Sequence, residues 1–341
     1  MKKALDFSDV LIVPKPTELY SRSLVNLERN FKFKYSKYEA NVVPIMAANM
    51  DMVGTIEVLK TMVEQGLFVC LNKFIEFEEI AKNKEFLQER KNNFAISIGC
   101  KDIDFMTMKY LYKMIKPKFV CIDVANGYMS NLCTFCAKIR DHFPEVVIIA
   151  GNVCTPIGVE KLILEGKVDI VKCGIGGGSA CTTRIKTGVG YPQFSCVLEC
   201  AQKAHELGGM IISDGGITCP GDLAKAFGAG ADFVMVGGQF AGHDQNPGKV
   251  IEDEDGKKWK EFYGMSSTHA MNKNYGGKSS YRSSEGRHIK IPYKGDLNHT
   301  VEDFLGGLRS TCTYVNCQNL EDLESKVEFI EVNNQFNKSL V

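Results

Sequence analysis

The sequence predicts an eight-stranded (β/α)8 TIM barrel, formed by residues 1–341 as one domain. Eight short runs rich in β-branched residues recur along the 341 residues, and amphipathic segments of helical length lie between them. The runs are apolar throughout rather than alternating, as in parallel strands that are covered on both faces. Their starts lie about 22 to 27 residues apart, with one gap of about 42. This period fits eight strand–helix units.

The elements follow one another in the order that a barrel requires. The predicted strands are 42–49, 67–73, 94–100, 119–126, 146–153, 168–176, 210–216 and 232–238. Helix candidates between them include 55–65, 76–89, 128–142, 156–165, 195–207 and 220–228. A doubly wound sheet is the alternative, but it normally places phosphate-binding glycines after its first strand. That turn reads AANMDMVG here, so the barrel is favoured.

Two segments fall outside the repeat. Residues 1–41 form an N-terminal extension that is expected to close the bottom of the barrel or to run along its side. Residues 239–298 follow the eighth strand, and they contain a predicted hairpin about Asp255-Gly256 and the polar stretch GGKSSYRSSEGR. A long loop in a barrel is usually a lid or a binding element. We therefore expect 239–298 to be a long mobile flap.

The composition excludes several classes of function. The 41 basic and 41 acidic residues balance, which argues against binding to nucleic acid or to anionic membranes through bulk charge. No signal peptide or membrane span is evident. The thirteen cysteines lie mostly in apolar runs, without the spacing of a disulfide framework or of a zinc site. These features predict a reduced, cytoplasmic protein.

Polar residues end many of the predicted strands. They are Asn49, Asp51, Lys73, Asp123, Asn126, Asn152 and Asp214. In a TIM barrel the loops after the strands build the active site. We therefore expect these side chains to converge on one mouth.

The loop after the sixth strand carries the candidate nucleophile. It reads GIGGGSACTTRIKTGVGYPQ, and its glycines allow backbone groups to approach a ligand or a monovalent cation. Cys181 lies in this polar loop, where Arg184 and Lys186 would favour the nucleophilic thiolate. Thr183 can bring a hydroxyl to the same reacting atom.

Glycine pairs after the seventh and eighth strands predict a phosphate site. Gly215-Gly216 and Gly237-Gly238 occupy the position where many TIM barrels bind phosphate through backbone N–H groups. Ser179 could add a hydroxyl, and Asp214 suits the hydroxyls of a sugar.

Longer stretches resemble the inosine-monophosphate dehydrogenase and guanosine-monophosphate reductase family. They include LDFSDVL, MAANMD, DVANGY, GSACTTR-IKTGVGYPQ, IISDGG, CPGDLAKAFGAGADFVM-VGG, FYGMSS and LGGLRSTCTY. The resemblance covers nearly the whole chain. The reductase branch is favoured because no gap holds the regulatory module usually inserted in the dehydrogenase, and because the flap reads YR-SSEG. The implied reaction is NADPH-dependent reductive deamination of GMP to IMP and ammonia, in purine nucleotide salvage.

The resemblance also implies roles for individual residues. The catalytic set is Cys181, which forms a covalent thioimidate, with Thr183 and Glu285. The substrate set is Ser179, Asp214, Gly215, Gly216, Gly237, Gly238, Gly264, Met265, Ser266, Arg282, Ser283, Ser284 and Gly286. The NADPH set is Ser21, Arg22, Lys73, Asp123, Val124, Ala125, Ile175, Gly176, Met265, Tyr281, Arg282, Ser310, Thr311, Cys312 and Thr313. A potassium site is implied at Gly176, Gly178, Cys181 and Arg184, through backbone carbonyls.

Within the NADPH set, Ser21, Arg22 and residues 310–313 match positions that reach the cofactor of a neighbouring subunit, so a homotetramer with shared cofactor sites is expected. Three residues depart from the family pattern: Gly177 stands where Pro is usual, Ala180 where Val or Ile is commoner, and Cys173 where Val is usual. Two alternatives stay open, namely an IMP dehydrogenase that makes XMP with NAD and a non-catalytic purine-nucleotide-binding barrel.

Overall fold

Eight parallel strands close into a barrel in the computed structural model, which describes residues 2–275 and 283–333. The strands are β1 (Ile45–Ala47), β2 (Phe68–Leu71), β3 (Phe94–Ile98), β4 (Phe119–Asp123), β5 (Val147–Val153), β6 (Ile170–Cys173), β7 (Met210–Asp214) and β8 (Phe233–Val236). Each strand pairs with the next, and β8 pairs with β1 to complete the closure. The predicted TIM barrel is confirmed.

Helices follow the strands and cover the outside of the barrel. In chain order they are Ile56–Met62, Phe77–Lys82, Lys84–Glu89, Asp102–Ile115, Ser130–His142, Pro156–Leu164, Gln193–Glu206, Pro220–Gly228 and Leu297–Tyr314. Shorter helices at Thr183–Thr187, Thr268–Tyr275 and Leu323–Lys326 lie in the loops and near the C-terminus. Among the described helices, none combines the length and the apolar character needed to cross a membrane.

Local chemistry shifts some elements from their predicted bounds. The predicted strand 42–49 is divided, because Pro44 lacks an N–H and separates β1 from the strand Glu39–Val42. The predicted helix 76–89 is two short helices that meet at Asn83. Helix Asp102–Ile115 lies between β3 and β4, where the repeat of eight strand–helix units requires a helix.

A hairpin from the N-terminal extension closes the bottom of the barrel. Strands Arg29–Lys32 and Glu39–Val42 form this basal hairpin. Phe31 from the hairpin stacks on Phe233 of β8 with ring centroids 4.3 Å apart. Phe68 and Phe119 meet edge to face in the same cluster, with centroids at 5.0 Å. Aromatic side chains therefore fill the end of the barrel where the strands begin.

Truncation of Phe31 should destabilise the protein strongly, because its ring is 2% exposed and seals the barrel interior. We expect Phe31→Ala to lower the free energy of unfolding by about 3–5 kcal/mol. Phe77→Ala is the matched control, since that ring is 40% exposed, and it should cost less than about 1 kcal/mol. Urea unfolding checks both, and equal losses in the two variants would contradict a sealing role.

The segment after β8 forms a small antiparallel sheet beside the barrel mouth. Its strands are Ile251–Glu252, Lys258–Tyr263 and His288–Pro292, and the predicted hairpin about Asp255-Gly256 is present, with Gly256 at φ +76°. The buried Lys260 donates hydrogen bonds to the carbonyl oxygens of His243 and Asn246, both at 2.7 Å. These bonds hold the flap sheet to the loop that leaves the barrel.

Candidate active site

Three side chains form a hydrogen-bonded chain at the mouth of the barrel. The Cys181 thiol donates to Thr183 Oγ1 at 3.2 Å, and the Thr183 hydroxyl donates to Glu285 Oε2 at 2.8 Å. All three residues are partly buried. The chain leads from a nucleophile through a hydroxyl to a carboxylate, so it offers a path along which a proton can move.

Backbone pairing brings these side chains together although 102 residues separate Thr183 from Glu285. The Thr182 N–H donates to the Glu285 carbonyl at 2.8 Å, and the Arg287 N–H donates to the Ala180 carbonyl at 2.9 Å. On the other side, the Glu285 N–H donates to the Ser266 carbonyl at 3.1 Å. The flap segment 284–287 is thus held between the loop after β6 and residues 264–267.

The pairing needs glycine at two positions. A Cβ on Gly264 would lie 2.9 Å from the Ala180 carbonyl oxygen, and a Cβ on Gly286 would lie 2.8 Å from the Ser267 nitrogen. Both separations are shorter than real Cβ contacts. Gly264, Ser266, Ser284 and Gly286, which were predicted for the substrate set, therefore belong to the same layer as Cys181.

A buried carboxylate ties the flap to the first barrel strand. Asp51, just after β1, accepts from the Tyr263 hydroxyl at 2.8 Å and from Lys273 Nζ at 3.2 Å, both at Oδ2. Asp51 is 7% exposed. Because Tyr263 directly precedes Gly264, this contact fixes where the layer beside Cys181 begins.

The predicted phosphate residues lie next to one another. Gly215 and Gly216 adopt positive φ angles of +109° and +77°. Ser179 Oγ faces Gly238, where a Cβ would lie only 2.5 Å from it. The Gly216 N–H donates to the Gly177 carbonyl at 2.9 Å. A phosphate that accepted a hydrogen bond from the Gly216 N–H would have to replace the Gly177 carbonyl as its acceptor. Ser179 and Gly238 already face each other.

The polar strand ends meet around a lysine in the barrel interior. Lys172 Nζ lies 2.7 Å from Asp214 Oδ2, 3.0 Å from Asp123 Oδ1 and 3.3 Å from Asn49 Oδ1. Asn152 Nδ2 donates to the same Asp214 oxygen at 2.8 Å. The predicted convergence of Asn49, Asp123, Asn152 and Asp214 on one mouth is therefore observed.

Charge compensation sets the ionisation of this cluster. Burial alone would raise the pKa of Asp123, but Lys172 and Lys73 outweigh burial and hold that pKa below its usual range. Burial lowers the pKa of Lys172, yet the carboxylates of Asp123 and Asp214 raise it well above its ordinary value. The lysine is therefore charged, and so is Asp123 at neutral pH.

Residues predicted for the cofactor fall into two groups. Lys73, Asp123, Val124 and Ala125 end β2 and β4 and reach the open mouth, where Ala125 is exposed. Ile175 and Gly176 lie in the loop after β6, close to Cys181 in sequence, and the Ile175 carbonyl accepts from the Tyr191 N–H at 3.4 Å. Both groups border the Cys181 loop or the mouth, so an elongated dinucleotide could lie across them.

The remaining predicted cofactor residues are Ser21, Arg22 and residues 310–313. Ser21 and Arg22 lie in or beside a short 3-10 helix that packs against helix Leu297–Tyr314, which carries residues 310–313. Gly307 of that helix lies against Pro220, the first residue of the helix that follows β7. Cys312 is fully buried, so only its backbone could meet a ligand.

The loop after β6 suits a monovalent cation. Gly176 has a φ of +87°, and the Gly178 carbonyl accepts from the Cys181 N–H at 3.0 Å. Two buried oxygens beside the loop, Thr182 Oγ1 and Gln193 Oε1, have no hydrogen-bond partner in the part of the chain that the structure describes. Neutral oxygens of this kind are suitable ligands for hard cations. The donor set therefore fits potassium.

Four further predicted residues lie in the flap, and a fifth, Arg184, lies in the loop after β6. Met265 and Ser283 lie in the described parts of the flap, beside residues already placed, whereas Tyr281 and Arg282 lie outside the described residues. The Arg184 guanidinium pairs with Asp6 at 3.1 Å and donates to the Tyr191 carbonyl at 2.6 Å. Its side chain therefore braces the loop and leaves only its backbone for a cation.

Lys172 and the Asp51–Tyr263 contact were missed from the sequence. A lysine inside the apolar run VDIVKCGIG was a visible signal, because a charged residue in a buried strand requires partners. Asp51 was noted as a strand end, but its partner Tyr263 lies 212 residues later. No local pattern connects the two.

Comparison with known proteins agrees with the geometry. A family model described as "IMP dehydrogenase / GMP reductase domain" matches residues 4–338. Human GMP reductase 2 is 51% identical over 338 residues, which cover 98% of this chain and 95% of the human protein. Human GMP reductase 1 is 51% identical over 334 residues, covering 98% and 96%. GMP reductase of Buchnera aphidicola subsp. Acyrthosiphon pisum (strain Tuc7) is 50% identical over 336 residues, covering 98% and 95%.

Proposed function

This chain belongs to the IMP dehydrogenase/GMP reductase family, and we propose from this membership that it catalyses the reductive deamination of GMP. GMP, NADPH and two protons give IMP, ammonium and NADP⁺. The observation that carries the proposal is the hydrogen-bonded chain from Cys181 through Thr183 to Glu285, because it pairs a nucleophile with a proton store. Relatives named GMP reductase, about 50% identical over nearly the whole chain, support the same reaction.

The first step adds the Cys181 sulfur to C2 of the guanine ring. The thiol proton points at Thr183, whose own proton points at Glu285, so deprotonation can run along existing hydrogen bonds. The thiolate that forms is the nucleophilic species. Addition makes the C–S bond, and the ring takes up the displaced electron pair with a proton on nitrogen.

The second step expels ammonia. An amino group on an aromatic ring is a poor leaving group, so its nitrogen must be protonated as the C–N bond breaks. Glu285, which received the thiol proton, can return it through Thr183 to that nitrogen. The purine then stays bound to Cys181 as a thioimidate, which splits one difficult reaction into two easier ones.

Reduction completes the cycle. Bound NADPH would supply the hydride that C2 requires. Cys181 is then the leaving group, because its C–S bond breaks and the sulfur departs as a thiolate. Residues at the ends of β2 and β4, including Lys73 and Asp123, and residues in the loop after β6 border the space where the nicotinamide would lie. The layer formed by residues 264–267 and 284–287 pairs with the loop that carries Cys181.

Binding of the nucleotide follows from the same architecture. Asp214 would accept hydrogen bonds from the ribose hydroxyls, and Ser179 with the glycine pairs would hold the phosphate. The backbone carbonyls of Gly176, Gly178 and Cys181 would hold potassium, which would order the loop that carries the nucleophile. Within the described residues, the side-chain oxygens of Thr182 and Gln193 beside that loop have no hydrogen-bond partner, which supports such a site.

Assembly and location are part of the proposal. Ser21, Arg22 and residues 310–313 match family positions that reach the cofactor of a neighbouring subunit, and this resemblance supports a homotetramer that shares cofactor sites. Light scattering of the purified protein tests this arrangement, and a monomeric mass would contradict it. A cytoplasmic location is supported by the thirteen cysteines, none of which forms a disulfide.

Absorbance of NADPH with purified protein and GMP tests the activity, and a parallel cuvette contains IMP and NAD. Loss of NADPH with one ammonia per NADPH in the first cuvette is the expected result. NADH formation in the second cuvette alone would assign the dehydrogenase reaction instead. Absence of change in both would leave a nucleotide-binding barrel without catalysis.

A further inference from the structure

Lys172 occupies an unusual place for a charged side chain. It is the third residue of β6, and only 5% of its side chain is exposed. Its neighbour on β5 is Gly151, where a Cβ would lie 2.7 Å from the Lys172 Cβ. A side chain at position 151 would therefore collide with Lys172, and glycine on the adjacent strand leaves space for the lysine.

The ammonium of Lys172 links three strands. Its contacts are with Asp123 at the end of β4, Asp214 at the end of β7 and Asn49 after β1, at 3.0, 2.7 and 3.3 Å. An ammonium has three donors, and these three oxygens match that number. The side chain is thereby fixed, and so is the separation between the two carboxylates.

The two carboxylates serve different ligands in the proposed function. Asp214 lies at the ribose position, and Asp123 lies at the cofactor side of the mouth. Lys172 and Asn152 both contact Oδ2 of Asp214, so in the proposed function Oδ1 would be the oxygen that accepts from a sugar hydroxyl. Without a cation between them, the two carboxylates would repel each other.

We propose that Lys172 is a positioning residue that holds the ribose-binding and cofactor-binding carboxylates in one fixed arrangement, and this inference rests on the proposed function. The lysine does not need to touch either ligand. It determines how nucleotide and cofactor meet, because one buried ammonium sets the position of both carboxylates.

Lys172→Met tests the proposal with a side chain of similar length and no charge. We expect the KM values for GMP and for NADPH both to rise, on the order of tenfold. Addition of Asp123→Asn to this variant should restore much of the GMP affinity, because an amide does not repel Asp214. Isothermal titration with GMP measures that affinity without turnover. The result therefore does not depend on whether the wild-type protein reduces GMP.

The pH profile provides a second readout. In Lys172→Met the carboxylate of Asp123 faces Asp214 without an intervening ammonium, and protonation at low pH would relieve the repulsion between them. The Lys73 ammonium and the Cys121 thiol also face this cluster. We expect the GMP dissociation constant of the variant, relative to wild type, to increase as the pH is raised.

Asp169→Asn is the matched control. Asp169 pairs with Arg140 in a buried ion pair at the bottom of the barrel, so its loss should lower stability without a pH-dependent change in GMP affinity. Unchanged affinity in Lys172→Met, or no recovery in the double variant, would overturn the proposal. If Lys172→Met does not fold, the double variant is compared with Asp123→Asn alone, and equal affinities for GMP and NADPH would overturn it.

Discussion

Cys181→Ala should abolish turnover and leave GMP binding nearly intact. The thiol is the only group of the Cys181–Thr183–Glu285 chain that can form the bond to C2, so its removal eliminates the covalent route. We expect kcat to fall on the order of 10⁴-fold or more, as for other enzymes that lose their nucleophile. The side chain is small and partly buried, so the GMP binding free energy should change by less than about 1 kcal/mol.

Measurements of NADPH oxidation and of GMP affinity on the same preparation check this result. Cys219→Ala is the control, because Cys219 is exposed and lies outside the catalytic chain. It should keep wild-type activity. Appreciable turnover by Cys181→Ala would exclude covalent catalysis, and loss of both turnover and GMP binding would point to a damaged loop rather than to lost chemistry.

Glu285→Gln should slow ammonia release far more than it weakens GMP binding. Glutamine keeps the shape of the side chain, but it cannot take and return a proton. General acid–base groups contribute about 10²–10⁴-fold, so kcat should fall by a factor in this range. Thr183→Val removes the hydroxyl through which the proton passes, and we expect a loss of the same order.

The two residues act as one unit in this scheme, so their losses should not multiply. The double variant Thr183→Val/Glu285→Gln should be about as slow as the slower single variant. A coupled assay for ammonia measures the rates. Glu252→Gln, an exposed glutamate on the flap sheet, is the control and should behave as wild type. Additive losses in the double variant would show that the residues act on separate steps.

Much of the fold could be predicted because it depends on local sequence. Continuous apolar runs mark strands that are buried on both faces, and the regular spacing between them requires crossover helices. The errors were also local. Pro44 interrupts a run that appears continuous, and the predicted helix 76–89 divides into two at Asn83.

The candidate site could be predicted only in part. Cys181 and Thr183 lie two residues apart in a glycine-rich loop, and such a pattern is visible in one sequence. The contact with Glu285 depends on backbone pairing between segments about 100 residues apart, and only the family resemblance indicated it. Lys172 was hidden because its partners come from three strands that meet only after the barrel has closed.

The aromatic cluster formed by Phe31 and its neighbours affects the route by which ligands enter and leave the barrel. Because that end of the barrel is filled, nucleotide, cofactor and ammonia would all pass through the mouth in the proposed reaction. Ammonia formed beside Cys181 would leave past the bound nicotinamide and the flap. The architecture would then constrain the order in which substrates bind and products leave, because a substrate bound too early would block the exit of ammonia.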